Sequence, residues 1–166
     1  MKDPLVSIII INWNGEEVLK LCLDSLLEIS YYNWELILVD NGSKDKSLQL
    51  LSNYFKNYLG QSKSQITNYK LIKNKANLGF ARANNQGYHQ SRGKYILLLN
   101  NDTKVTKNCL RVLVEKMEDD HSLGVIQPKI FIMNKTKYLD NVASYLTRTG
   151  FLQHIGYMEK DQKKYN

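Results

Sequence analysis

Cysteine is nearly missing from this chain of 166 residues, with Cys22 and Cys109 its whole complement. Each sits in a helix-like apolar pattern with no Cys or His neighbour at metal-ligand spacing, so two reduced, buried thiols are expected rather than a zinc site. Long apolar runs are missing too. The longest, Leu5 to Ile11, falls far short of the roughly 20 residues that a bilayer helix needs, and no charged-then-apolar signal peptide opens the chain. A soluble, cytoplasmic protein is expected, its place at the inner face of a membrane being at most peripheral. The signature of disorder is absent: 43% hydrophobic against 23% charged residues suffices for the core of one domain. His89, His121 and His154 lack recognisable triad partners and suit surface or helix-end positions. No Gly-x-Gly-x-x-Gly follows the first strand, where Asn12-Trp13-Asn14-Gly15 stands instead, which argues against a dinucleotide-binding dehydrogenase.

Positive charge is plentiful. A net charge of +7 and a pI near 9.3 favour anions, whether nucleotide diphosphates, an anionic membrane surface or nucleic acid. The lysines, including Lys160, Lys163 and Lys164, are scattered in polar segments and read as a solvated face. No nucleic-acid-binding motif accompanies the charge, so no nucleic-acid partner is expected.

The β-branched run Val6 to Asn12 is too continuous for a half-exposed strand and predicts a central strand covered on both faces. Asn14 is placed to cap the next helix, with Glu17 as its capping-box partner; Val18, Leu19, Cys22, Leu23, Leu26 and Leu27 recur at helical spacing. Leu36 to Val39 predicts a second strand and Asn41-Gly42-Ser43 a turn and cap, before a helical stripe at Leu48, Leu51 and Phe55. Gln61 to Asn68 reads as a polar connection, and Tyr69 to Ile72 as a weaker strand. Asn77-Leu78-Gly79 turns into a helix over Phe80 to Gln90, and Tyr95 to Leu99 is a fourth strand. Thr106 can cap a helix carrying Leu110, Leu113, Val114 and Met117; Val125-Ile126 begins an extended stretch, and periodicity fades beyond Asn134. Alternation at intervals of roughly 30 residues, without internal repeats, predicts an α/β fold on a mostly parallel, twisted sheet flanked by helices.

Ligands of open α/β sheets lie beyond the carboxyl ends of the strands. Three polar sets fall there: Asn12-Trp13-Asn14, Asp40-Asn41-Gly42-Ser43 and Asn100-Asn101-Asp102. A carboxylate at Asp40 can accept from a nucleobase N–H or a ribose hydroxyl, or else cap its own turn. Asn100 to Asp102 offers hard oxygens of the kind Mg²⁺ or Mn²⁺ prefers when it also holds phosphate.

With these residues in place, the sequence resembles the family 2 glycosyltransferases, in particular the bacterial rhamnosyl- and related cell-surface glycan transferases. VSIIIINWNG is similar to the family's opening strand and turn, LILVDNGSKDKS to its second strand with the nucleotide-contacting aspartate, NLGFARANNQG to its Asn-x-Gly helix entry, and YILLLNNDT to the segment with the Asp-x-Asp-like motif. The resemblance implies a GT-A-type fold, a nucleotide-diphosphate-sugar donor carrying UDP or dTDP, and a glycan or lipid-linked acceptor. By position it implies that Asp40 contacts base or ribose, that Trp13 and Asn14 line the nucleoside pocket, and that Arg82 and Asn85 border the nucleotide-sugar. Asn100 and Asn101 join that set, with Asp102 as the metal ligand for Mg²⁺ or Mn²⁺. Asn100 departs from the commoner Asp-x-Asp, lowering the charge offered to the metal.

Inverting members use a later carboxylate to deprotonate the acceptor hydroxyl. Downstream of Asp102, Glu115, Glu118, Asp119, Asp120, Asp140, Glu159 and Asp161 do not fall in the family's Glu-Asp base context, so the catalytic base is unassigned. Residues 1–133 are expected to form a nucleotide-sugar-binding domain and residues 134–166 the start of an incomplete acceptor-side region. The chain is thus expected to be truncated, with a catalytically inactive nucleotide-sugar-binding module as the alternative.

Overall fold

The computed structural model describes residues 3–58 and 68–165. Elements follow as β1 (Val6–Asn12), α1 (Leu19–Leu27), β2 (Trp34–Asp40), α2 (Ser47–Tyr58), β3 (Tyr69–Lys73), α3 (Phe80–Gln90), β4 (Tyr95–Asn100), α4 (Cys109–Asp119), then β5 (Ile130–Ile132), β6 (Lys135–Asn141), β7 (Ala143–Leu146) and β8 (Leu152–Ile155). They fall into two compact units, Met1–Leu110 and Arg111–Asn166. The polar connection read at Gln61 to Asn68 lies, except for Asn68, outside the described residues.

The first unit is built on a four-stranded sheet in the order β3-β2-β1-β4. All its pairings are parallel, with Ile8 of β1 opposite both Leu36 of β2 and Leu97 of β4. β1 is central, as its unbroken apolar run requires: Ile8, Ile9 and Ile10 are fully buried, and so are Leu36 to Val39 beside them. Leu19, Cys22, Leu23 and Leu26 bury one face of α1. Phe55 of α2 stacks on Tyr69 of β3 at 4.0 Å between ring centroids. Gly87 lets α3 lie against β1, since a Cβ there would come within 2.5 Å of Ile9 Cγ2.

Element ends differ from the sequence reading wherever a loop bond replaces a helix cap. α1 begins at Leu19 with Val18 as its uncapped N-cap, because Asn14 Oδ1 instead accepts the backbone N–H of Lys44 at 2.8 Å. Asn41 to Ser43 makes a turn but no cap; the entry of α2 is held by Asp45 Oδ1, which accepts Ser47 N–H at 3.0 Å. α4 starts at Cys109, whose N–H donates to the Thr106 carbonyl at 3.0 Å, so Thr106 lies a turn before the helix. Among the described residues β4 is an edge strand, with Leu98 55% exposed. Of the two thiols, Cys22 is buried and Cys109 only half-buried, and both are free.

In the second unit the extended stretch expected at Val125 becomes a strand only at Ile130. The tail beyond Asn134 is not structureless. β5 pairs antiparallel with β6 through register shifts, and β7 pairs antiparallel with β8. Leu139 is fully buried there, while Leu146 and Phe151 are 70% and 72% exposed. Short hairpins with such mixed faces carry little hydrophobic periodicity.

At the amino-terminal end of the sheet lies a buried carboxylate that the sequence reading passed over. Glu35 is 1% exposed and accepts from Ser7 Oγ at 2.7 Å, from Arg92 N–H at 2.8 Å and from the Arg92 guanidinium at 2.9 Å. Burial pushes its carboxyl pKa up, but the bonds from Ser7 and Arg92 outweigh it and hold the group below its ordinary 4.5. A depressed carboxylate stabilises the fold above its unfolded pKa and ceases to do so as pH falls through the folded value. Glu35→Ala should therefore cost about 1.5–3 kcal/mol at neutral pH, nearer the lower figure because the Arg92 side chain is half in solvent. Urea denaturation across pH 2–7 should show the wild-type loss of stability below about pH 4.5 becoming shallower in the variant.

Candidate functional site

In the order β3-β2-β1-β4 the chain runs outward from β1 through β2 to β3, then returns to the other side of β1 as β4. The topological switch between β1 and β4 opens a crevice at the carboxyl ends of these strands. Asn12 closes β1 there, fully buried. Its Nδ2 donates to Asp40 Oδ1 and to Ser43 Oγ, both at 3.1 Å, and its Oδ1 accepts from Asn101 Nδ2 at 2.9 Å. Its backbone carbonyl accepts Asn41 N–H at 2.7 Å. One residue thus ties together the tips of β1, β2 and β4. Gly15 covers this junction, and a Cβ there would come within 2.2 Å of Asn12 Oδ1 and 2.4 Å of Asn101 Nδ2.

The first two loops are zipped by reciprocal bonds. Asn14 N–H donates to Ser43 Oγ at 2.9 Å, Gly15 N–H to Ser47 Oγ at 3.0 Å, Glu16 N–H to Asp45 Oδ2 at 2.9 Å, and Lys46 N–H returns to Glu16 Oε2 at 3.2 Å. Asn14 adopts φ 52°, a left-handed conformation that asparagine tolerates. A second amide cluster fastens the loop before α3. Asn41 is 2% exposed; its Nδ2 donates to Asn77 Oδ1 at 2.9 Å, and its Oδ1 accepts from Asn74 Nδ2 and Leu78 N–H, both at 3.0 Å. Asn74 and Gln86 exchange amide bonds at 2.8 and 3.0 Å.

These loops surround a cavity of about 330 Å³ lined by Ile11, Trp13, Asn41, Asn77, Phe80, Asn100, Asn101 and Asp102. Its size falls within the range of small-molecule sites. Five of the residues that the sequence placed at the ligand end meet here: Trp13, Asn41, Asn100, Asn101 and Asp102. Asn14 lines a separate hollow of about 490 Å³ with Gly15, Glu16, Glu17, Val18, Lys44 and Asp45. Asp40 does not line the 330 Å³ cavity; it is 1% exposed, with Oδ1 on Asn12 and Oδ2 accepting Ser43 N–H at 3.2 Å. Arg82 and Asn85 are exposed on α3 and are not among the lining side chains. Phe80 and Asn77 were missed as walls, although Asn77-Leu78-Gly79 had marked the turn that presents them. Trp13 and Phe80, 55% and 65% exposed, give the cavity two aromatic surfaces.

The donor set bears on cation binding. No group of three His, Cys, Asp or Glu side chains arranged to hold a metal occurs among the described residues. Asp102 with two neighbouring amides fits instead a hard cation that keeps waters and arrives with phosphate oxygens. Cys22, whose thiol lies 3.6 Å from the Asn100 carbonyl, offers no nucleophile: burial, reinforced by the nearby Asp102 charge, pushes its pKa up to about 11.

Comparison with known proteins bears on the same segments. The family model for glycosyl transferase family 2 matches residues 7–165. An uncharacterized glycosyltransferase of Haemophilus influenzae is 34% identical over 121 residues, covering 73% of this chain and 45% of that protein. S. aureus TarS 1-349 in complex with UDP-GlcNAc aligns with a TM-score of 0.60 at 21% identity, over 78% of this chain and 41% of that one. The mannosyltransferase PcManGT from Pyrobaculum calidifontis, in complex with GDP-Man and Mn²⁺, aligns with a TM-score of 0.61 at 18% identity, over 77% and 34% of the two chains. At such identities these structures speak for the fold, which is that of the GT-A glycosyltransferases. The chain spans less than half the length of the curated relatives it matches.

At Gly42 the loop after β2 lies against the backbone of the segment that follows β3. Gly42 has φ +80°, and a Cβ would stand 2.6 Å from the backbone carbonyl carbon of Ala76. Gly42→Ala should therefore destabilise the unit by about 1–3 kcal/mol, the cost of a left-handed non-glycine residue with a backbone clash. The measurement is the urea midpoint of the variant against wild type.

Proposed function

The chain belongs to glycosyl transferase family 2, and we propose that its parallel-sheet unit binds a UDP- or dTDP-sugar for metal-assisted, inverting transfer to a glycan or lipid-linked acceptor. The observation that carries this reading is the convergence of Trp13, Asn41, Phe80 and Asn100 to Asp102 on one cavity at the switch between β1 and β4. Aromatic surfaces suit a base or sugar face, and the amides suit hydroxyls and phosphate oxygens. Asp102 would hold Mg²⁺ or Mn²⁺ beside the diphosphate, and the cation would there offset the charge that develops on the leaving group. The complexes of TarS with UDP-GlcNAc and of PcManGT with GDP-Man and Mn²⁺ support a nucleotide-sugar and a cation here. The net charge of +7 favours the same ligand.

Within this reading Asp40 serves the nucleoside. Two bonds engage its carboxylate, which has about four acceptor positions, so acceptor capacity remains for a base N–H or ribose hydroxyl once nucleotide binding uncovers the side chain, which is 1% exposed. Asn14 flanks the nucleoside side, and Arg82 and Asn85 border the donor from α3. Residues 1–133 form the donor-binding portion and residues 134–166 the opening of the acceptor side. Among the described residues, Asp102 is the one carboxylate that lines the cavity. A metal-binding aspartate does not also serve as the base, so no residue of the cavity wall is given that role, and the same wall would serve a binding module of the same fold. No helix among the described residues is long and apolar enough to cross a membrane. The cationic surface suits peripheral contact with the inner face of an anionic one, in a cytoplasmic protein.

Calorimetry with UDP and dTDP, with and without Mg²⁺ or Mn²⁺, tests the assignment. Asp40→Ala should weaken nucleotide binding by about 1–3 kcal/mol whether or not the cation is present. Asp102→Asn should abolish the cation's enhancement and leave metal-free binding mostly intact. Unchanged affinity in a folded Asp40→Ala, or equal enhancement by Mn²⁺ in wild type and Asp102→Asn, would remove that residue from the site. Rapid turnover of a UDP-sugar by the chain would instead place a base within it and redirect attention to Asp140, Glu159 and Asp161.

A further inference from the structure

We propose that Asn12 is a positioning residue that sets the orientation of the Asn101 amide, turning the Asn101 carbonyl oxygen toward the cavity as a ligand for the cation held with the diphosphate. The inference rests on the donor-site reading above and adds to it a residue that touches no ligand.

A carboxylate can only accept hydrogen bonds, so the Asn12 atom facing Asp40 must be the nitrogen, and it stands 3.1 Å from Oδ1. The same nitrogen also reaches Ser43 Oγ at 3.1 Å. The amide is planar with its two polar atoms on opposite sides, so its oxygen faces away from Asp40. That oxygen meets Asn101 Nδ2 at 2.9 Å. An oxygen in that place can be satisfied only by a donor, which commits the nitrogen of Asn101 and leaves its carbonyl oxygen at the other pole. Asn101 also lines the cavity beside Asp102.

Nothing around the junction lets this polarity relax. Asn12 is 0% exposed, so water cannot replace either partner. Gly15 closes the space over the Asn12–Asn101 bond so tightly that not even a Cβ would fit. Reversing the Asn12 amide would set its oxygen against Asp40 and its nitrogen against the nitrogen of Asn101, losing both bonds together. The cation side also needs such an oxygen. With Asn100 in place of an acid and no cluster of three ionisable ligands among the described residues, Asp102 is left to bind a divalent ion with neutral oxygens. Two amides in series therefore carry the acceptor character of Asp40, beside the proposed nucleoside, to the loop proposed for the diphosphate.

The test is a double-mutant cycle read by calorimetry, with UDP as the probe and Mg²⁺ present or absent. Asn12→Leu fills nearly the same space but offers no acceptor to Asn101. The Mg²⁺-dependent gain, read as the ratio of UDP affinities with and without Mg²⁺, should fall about tenfold, the worth of one lost hydrogen-bonded ligand; withdrawing the donor from Asp40 lowers both affinities alike and cancels in that ratio. Asn101→Ala should give the same fall in that ratio, and in the double variant the ratio should fall no further than in either alone, because both remove one oxygen. Asn101→Ala lies on a half-buried loop and keeps the comparison available if Asn12→Leu folds poorly. Its partner variant is then Asn12→Ser, which shortens the side chain beyond reach of Asn101 and should show the same fall in that ratio. Equal weakening of UDP binding with and without Mg²⁺ in the Asn12 variants would make Asn12 merely structural and overturn the proposal. So would additive losses in the double variant. A wild-type protein whose UDP affinity ignores Mg²⁺ would overturn the cation assignment itself, and with it the role given to Asn101.

Discussion

Water has no access to β1 from Val6 to Ile10, and this exclusion shapes the ligand-facing end of the sheet. The first polar side chain after the buried run, Asn12, must satisfy every polar atom within the protein or cost of the order of 1–3 kcal/mol for each one left over. It does so by reaching sideways to the ends of both neighbouring strands. A requirement of burial thereby becomes a geometric device. Three loops that are far apart in sequence are fixed relative to one another before any ligand arrives, the condition under which a polar site acts without reorganising.

The same economy runs through the rest of that end. Amides and hydroxyls hold the loops together, with Asn41, Asn74, Asn77 and Gln86 forming one cluster and Ser43, Asp45 and Ser47 another. Amides donate and accept at once, so they build continuous networks without concentrating charge. The cavity consequently carries a single carboxylate, Asp102, in a chain whose net charge is +7. That balance favours a ligand bringing its own negative charge. The opposite end of the sheet is organised differently, with the buried Glu35 held by Ser7 and Arg92, where charge is paired rather than offered.

The alternation of strands and helices and the covered, central position of β1 were legible because burial on both faces leaves a direct mark on the sequence, a run of β-branched residues bounded by turns. The polar sets after the strands were legible for the same reason, since each ends an apolar run. Helix entries were misread at Asn14, Ser43 and Thr106. Asparagine and serine satisfy a neighbouring loop as readily as their own helix, and sequence proximity does not say which. The hairpins of the second unit left no trace because their strands are mixed in polarity and, β6 apart, only three or four residues long.

By itself the sequence determined the alternation of strands and helices, the family to which they belong, and the candidate ligand residues Trp13, Asp40 and Asn100 to Asp102. Only the tertiary structure decided which of these meet. It brought Trp13, Asn41 and Asn100 to Asp102 to one cavity, added Asn77 and Phe80 to its walls, set Asp40 beneath the loops with its carboxylate on Asn12 and Ser43, and left Arg82 and Asn85 on an exposed helix face. The physical reason is that a residue's type and its place in a strand or turn are local properties, written in a few neighbouring letters. The partner of a side chain at a strand tip depends on sheet order and register, which join residues 28 and 89 positions apart, and no local pattern encodes that separation.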